Sequence, residues 1–100
     1  MEVNIKKQGN ETLVELIGRL DTPSSLEIAP QVEAITEAAG GVVILECKDL
    51  AYISSSGLRI FLTIRKASIE KGGKVIVRNI SNDIRSVFMM TGFLNLFEIQ

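Results

Sequence analysis

The sequence predicts an α/β fold: a mixed, mostly parallel sheet of about five strands with flanking helices, in the order ββαβαβαβ. Three observations carry this. After two opening strand-like runs, short apolar segments alternate with segments of helical spacing, and each crossover helix returns the chain in the same direction. Val42-Val43-Ile44-Leu45-Glu46-Cys47 is nearly unbroken apolar sequence, the composition of a central parallel strand covered on both sides. Gly40-Gly41, Gly72-Gly73 and Gly92 stand where the helical patterns stop. One hundred residues at 46% hydrophobic can build an ordinary core, so residues 1–100 are expected to form one domain.

Residues 3–7 form the first strand, with Val3 and Ile5 on one face. Gln8-Gly9-Asn10-Glu11 is a turn, because Gly and Asn tolerate left-handed backbone. Residues 12–17 form the second strand, and the four-residue spacing makes the pair an antiparallel hairpin. Gly18-Arg19-Leu20-Asp21-Thr22-Pro23 then ends the strand and opens a helix. Pro23 suits the first helical position, which makes Thr22 the N-cap; alternatively Ser24 caps and Glu27 completes a capping box. Leu26, Ile28, Val32, Ile35 and Ala39 recur at helical spacing, and Pro30 inside them is expected to kink or split the helix.

After the central strand, residues 48–53 are expected to be a loop and residues 55–71 a second helix. Leu58, Phe61, Leu62 and Ile69 make one apolar stripe on it; Ile60, Ile64 and Ala67 make another. Seven apolar residues exceed what one sheet-facing side needs. Either a neighbouring helix covers the excess or a partner does. Residues 74–78 form the next strand, around Val75-Ile76-Val77. Ser81 can cap a third helix with Ile84, Val87 and Phe88 inward; Gly92 ends it and Phe93 folds back over its last turn. Residues 96–99 make a last short strand. No internal repeat, linker or low-complexity segment interrupts the chain.

Composition excludes much chemistry. Charged residues are 23% and mixed, with net charge −1, so nothing electrostatic favours nucleic acid or a membrane surface as partner. No apolar run nears the ~20 residues of a membrane span, and the opening residues lack the basic-then-apolar order of a signal peptide. A single Cys47 makes no internal disulfide, which fits a reducing cytoplasm. With no histidine, a Ser-His-Asp triad and His metal ligation are out of reach. There is no cysteine cluster for zinc, no dinucleotide fingerprint and no phosphate-binding loop, so no cofactor or metal is expected and no enzyme activity either. A magnesium-holding phospho-aspartate receiver would need more acids after the central strand than Asp49 and the nearby Glu46. Cys47 ends an apolar strand with no base to activate it, which marks a structural thiol.

What remains is Tyr52-Ile53-Ser54-Ser55-Ser56-Gly57-Leu58-Arg59, where a strand hands over to a helix. Ligand sites in open α/β sheets are built at the carboxyl ends of strands, and a helix start accepts anions. One serine is enough for an N-cap; three followed by Gly57 are more than a cap requires, and glycine there costs about 1 kcal/mol against alanine. A phosphate on this junction would have to be placed by another protein.

This stretch resembles the signature of anti-sigma factor antagonists, the STAS-domain family. In that family an Asp-Ser-Ser/Thr-Gly-Leu pattern opens the second helix and its first serine is phosphorylated. Gly18-x-Leu20-Asp21, Val42 through Glu46 with Tyr52-Ile53, and Thr91-Gly92-Phe93-x-x-Leu96-Phe97 resemble further family pieces, in order along the whole chain. The resemblance implies phosphorylation at Ser55, with Asp21, Ser54, Ser56 and Gly57 around it; Ser54 stands where the family has aspartate. It implies a partner surface including Leu58, Arg59, Ile60 and Ile64. It further implies a cytoplasmic antagonist that, unphosphorylated, binds an ATP-dependent anti-sigma factor serine kinase and frees a sigma factor, and is restored by a PPM-type serine phosphatase. The alternative within the family is a non-switching STAS subunit of a transporter or signalling complex, its serines serving only as caps.

Overall fold

The computed structural model describes all 100 residues, Met1–Gln100. In chain order its elements are β1 (Glu2–Gln8), β2 (Glu11–Leu20), α1 (Thr22–Glu27), α2 (Ala29–Glu37), β3 (Val42–Glu46), β4 (Leu50–Ile53), α3 (Ser55–Lys71), β5 (Lys74–Arg78), α4 (Asn82–Thr91), a 3-10 turn (Phe93–Asn95) and β6 (Glu98–Ile99). The sheet runs β1-β2-β3-β5-β6, with β4 attached to β2. Only the β1–β2 pair is antiparallel. Its hairpin turns on Gly9-Asn10 alone; Gly9 takes φ +58° and Asn10 keeps an ordinary negative φ.

The ten-residue β2 serves two partners. Residues 11–15 pair with β3 and residues 18–20 with β4, the latter with a register shift between Gly18 and Arg19. The expected loop at 48–53 is therefore corrected to a tight turn plus a strand. Leu50 and Ile53 are buried while Ala51 and Tyr52 face solvent, so no period-two alternation announced it.

The expectation that β3 is covered on both faces is also corrected. Val14, Leu16, Val43, Leu45, Val75 and Val77 share one core with Ile28, Ile35, Phe61, Ile64, Ile84 and Phe88 from the helices. Strand alternation turns Leu13, Ile44, Glu46 and Ile76 the other way. On that face Ile44 and Ile76 are still only 9% exposed. The same face carries the cross-strand ion pairs Lys6–Glu15 at 3.2 Å and Lys74–Glu98 at 2.8 Å, and long side chains of this kind can shield apolar surface without a second helix layer. The smallest molecular extent is 20 Å, consistent with two layers.

The first helix splits at Ile28, and Pro30 sits in the opening turn of α2, where its missing N–H costs nothing. Neither Thr22 nor Ser24 caps α1; Asp21 does. Ile28, Ile35 and Ala39 point inward, but Leu26 is 76% exposed. On α3 the buried line is Gly57, Phe61, Ile64 and Ser68, spaced i, i+4, i+7, i+11. Leu62 and Ile69 consequently face solvent, so part of the apolar excess on this helix is left uncovered. Gly73 is obligatory at the end of α3, because a β-carbon there would run into the Ala39 carbonyl.

Ser81 caps α4, Gly92 ends it at φ +79°, and the Phe93 ring folds back to 5.4 Å from Phe88. Phe61 and Phe97 complete this aromatic cluster. The last strand is shorter than expected: the 3-10 turn takes residues 93–95, and Leu96 stays outside β6.

Candidate functional site

The three serines at the β4–α3 junction do three different things. Ser54 is the N-cap, extended at φ −92° and ψ 174°; its Oγ accepts the Gly57 N–H at 3.2 Å, and its own N–H donates to the Leu20 carbonyl at 2.9 Å. Ser56 is half-buried, with its Oγ 3.3 Å from Thr22 Oγ1, joining α3 to α1. Ser55 is the first residue of the helix and is exposed. Its hydroxyl makes no hydrogen bond within the protein. Gly57 is buried, and a β-carbon on it would stand 2.8 Å from Ile53 Cγ1 and from Leu20 Cγ. The absent side chain lets the start of α3 press against the ends of β2 and β4.

Asp21 lies at the same edge but is committed to its own helix. Its Oδ1 accepts from the Ser24 N–H at 3.0 Å and the Ser24 hydroxyl at 2.7 Å. Those two bonds, with a smaller contribution from the Arg19 charge, hold the carboxyl below its ordinary range. The first turn of α3 contains no acid, so the partial positive charge of that helix start is not neutralised by its own side chains.

Of the residues expected to meet a partner, Arg59 is exposed and Leu58 and Ile60 are half-buried against the core. Ile64 is 1% exposed and belongs to the core cluster, so it is corrected to a packing residue. Sequence reasoning missed Thr22 and an exposed pair beside the site. Arg19 lies over the Tyr52 ring at 4.3 Å, on the paired strands β2 and β4. Only knowledge of β4 could have brought those two together.

One strand over, Glu46 is buried and receives the Arg78 Nε–H at 2.9 Å, the Asn79 side-chain amide at 3.0 and 3.3 Å, and the Lys48 N–H at 3.3 Å. Asn79 adopts φ +60°, the one non-glycine residue with a positive φ. Burial raises the Glu46 pKa, but the bonds from Asn79 and Arg78 outweigh it and the net shift is downward. Cys47 is fully buried, and burial, followed by the Glu46 charge, pushes its thiol up to about 12. It is therefore a packed apolar group at neutral pH. No three His, Cys, Asp or Glu side chains are grouped to hold a metal ion. No helix is long and apolar enough to cross a membrane.

The structure is a mixed sheet with helices packed on one face and a serine-rich strand-to-helix junction at the end of β4. The STAS domain model matches residues 2–100, and the chain belongs to that family. It is 25% identical over 99 residues to the anti-sigma-B factor antagonist of Bacillus subtilis, covering 99% of this chain and 90% of that one. It is 26% identical over 100 residues to the anti-sigma F factor antagonist of Paenibacillus polymyxa, covering 99% of this chain and 86% of the relative. The Bacillus cell fate determinant SpoIIAA, solved in its phosphorylated form, superposes with a TM-score of 0.75 at 19% identity, over 99% of this chain and 91% of that chain.

Proposed function

We propose that this protein is an anti-sigma factor antagonist switched by phosphorylation of Ser55. The observation that carries the reading is the division of labour among the serines. Ser54 is held by the Gly57 amide and Ser56 by Thr22, while Ser55 presents a free hydroxyl to solvent. The curated relatives are named as antagonists of anti-sigma factors, and SpoIIAA exists in a phosphorylated form, which supports the reading.

In the unmodified state the junction is small and neutral, flanked by Leu58, Arg59, Ile60 and the Arg19–Tyr52 pair. That surface suits docking onto an ATP-dependent serine kinase that sequesters a sigma factor, so that binding frees the sigma factor. A phosphate adds about −1.5 to −2 charges at pH 7. The start of α3 accommodates it within the monomer, through the helix dipole and unpaired N–H groups. A partner packed over Ser55 has to desolvate that dianion, and the complex is lost while the fold persists. A PPM-type phosphatase reverses the modification.

The test is binding to the kinase by calorimetry. Ser55→Ala keeps the wild-type affinity and cannot be phosphorylated; Ser55→Asp and the phosphorylated protein bind at least about 100-fold more weakly, or roughly 2.7 kcal/mol. A Ser55→Asp protein that bound as tightly as wild type would falsify the switch. Phosphate mapped to Ser54 or Ser56 would move the acceptor, and an unmodified protein in the presence of active kinase would favour a non-switching STAS subunit.

A further inference from the structure

At the opposite end of α3 lies a feature that the proposed switch leaves unused. A cavity of about 170 Å³ opens between the last turns of α3, the start of β5 and the segment leading into β6, lined by Arg65, Ser68, Ile69, Lys74, Leu96 and Phe97 among others. Two polar groups on its wall are uncommitted. Ser68 is 2% exposed, and its Oγ is the one buried side-chain polar atom in the protein with no hydrogen-bond partner. Buried hydroxyls are normally paired, and a helical serine can bond the carbonyl one turn back; this one does neither. Arg65 is half-buried and uses only its Nε–H, donating to the Leu96 carbonyl at 2.9 Å. That bond fixes the guanidinium plane and leaves Nη1 and Nη2 without a protein partner.

The wall between these groups is apolar and open: Ile69 is 61% exposed and Leu96 38%. The helix end does not oppose an anion strongly here. The Gly73 N–H takes the Ser68 carbonyl at 2.8 Å and the Gly72 N–H takes the Ile69 carbonyl at 3.3 Å, which spends part of the C-terminal partial negative charge. Lys74 brings a further cation to the cavity, paired with Glu98 at 2.8 Å on the solvent side.

We infer that this cavity binds a small carboxylate carrying a short apolar chain. The carboxylate meets the free Nη pair of Arg65 end-on, in the two-bond geometry that guanidinium and carboxylate share. The chain lies against Ile69, Leu96 and Phe97. Ser68, which lines the same cavity with an unpartnered hydroxyl, supplies a further donor to the ligand. At about 170 Å³ the cavity is well below the size of a drug-sized ligand's pocket, and a short chain such as butyrate suits it. An uncharged alcohol leaves Arg65 unanswered. Along α3 the site stands about 20 Å from Ser55, so it neither requires nor tests phosphorylation there.

The experiment is an amide NMR titration of the full chain with sodium butyrate at constant ionic strength, with sodium chloride and 1-butanol as comparators. Butyrate gives saturable shifts clustered at Ser68, Gly73, Val75 and Phe97, with millimolar affinity as befits a six-atom ligand. Arg65→Gln weakens the affinity at least tenfold. Ser68→Ala weakens it about threefold and leaves the melting temperature of the unliganded protein unchanged or higher, since it deletes an unpaired buried hydroxyl. Arg85→Gln, on α4, changes nothing. Shifts that rise linearly without saturating, an equal response to 1-butanol, or undiminished affinity in Arg65→Gln would overturn the assignment.

Discussion

Two clusters lie side by side at the carboxyl ends of parallel strands, and they are built on opposite principles. Around Glu46, one buried carboxylate gathers donors from Lys48, Arg78 and Asn79, closing the ends of β3 and β5. At the serine junction no charge is buried; the groups are hydroxyls, two of them committed and Ser55 free. The first arrangement is saturated and therefore fixed. The second keeps one group available on a frame that Gly57 holds close against Leu20 and Ile53. An acceptor for covalent modification needs both properties at once: a free atom, and surroundings that do not shift when the atom is used.

The largest stability contrast is between Glu46 and Ser55. Glu46→Ala leaves the Asn79 and Arg78 donors without their acceptor and is expected to cost about 2–3 kcal/mol in chemical denaturation, below the full cost for a wholly buried pair because Arg78 is partly exposed. Ser55→Ala should stay within about 0.5 kcal/mol of wild type. Acid sharpens the comparison. The folded Glu46 pKa is depressed below the ordinary 4.5, so its contribution is full above that value and is lost as pH falls through the folded value. Wild type should therefore lose stability below about pH 4.5 more steeply than Glu46→Ala does. Equal stability losses in Glu46→Ala and Ser55→Ala would remove the distinction between a locked cluster and an open one.

Much of this was legible in the chain, and the failures share a cause. The central strand, the hairpin, the break around Pro30, a serine cap at the β4–α3 junction and the cap at Ser81 are local: propensity, proline and capping chemistry decide them within a few residues. β4 was missed because its burial runs in, out, out, in, and its identity depends on the distant end of β2. The two apolar stripes read on α3 left its inward face open, because half of its buried line is Gly57 and Ser68, which a count of apolar residues passes over. For Asp21 the resemblance gave a place near the acceptor and the local sequence a helix-cap carboxylate; its carboxylate caps α1 through Ser24, and only the fold shows that Thr22 is the residue touching Ser56. The open face of the sheet was invisible because Ile44 and Ile76 look the same whether helices or lysine and arginine stems cover them.

Gly57→Ala probes the frame beneath the open group. On helix propensity alone alanine is better by about 1 kcal/mol. The new methyl would stand 2.8 Å from Ile53 Cγ1 and Leu20 Cγ, inside a buried contact. Overpacking of that kind typically costs about 1–3 kcal/mol, so a net loss of about 1–2 kcal/mol is expected from thermal and denaturant melts. A gain in stability would mean that α3 can lift from β2 and β4 at no cost, and the junction would then be pliant where the comparison makes it rigid.

The smallest expected effects separate the serines from one another. Ser54→Ala removes the acceptor of the Gly57 N–H at a helix start and should cost about 1 kcal/mol. Ser56→Ala deletes a long hydroxyl–hydroxyl contact that water can replace at an exposed edge, and should cost less than about 0.5 kcal/mol. If a phosphate at the helix start supplies an acceptor for the same N–H groups, the Ser54→Ala defect should shrink in protein phosphorylated on Ser55 while the Ser56→Ala value stays where it was. That double-mutant comparison reads the position of the phosphate relative to the cap. Two unchanged differences would place the phosphate out in solvent, and repulsion of the partner would then rest on its charge alone.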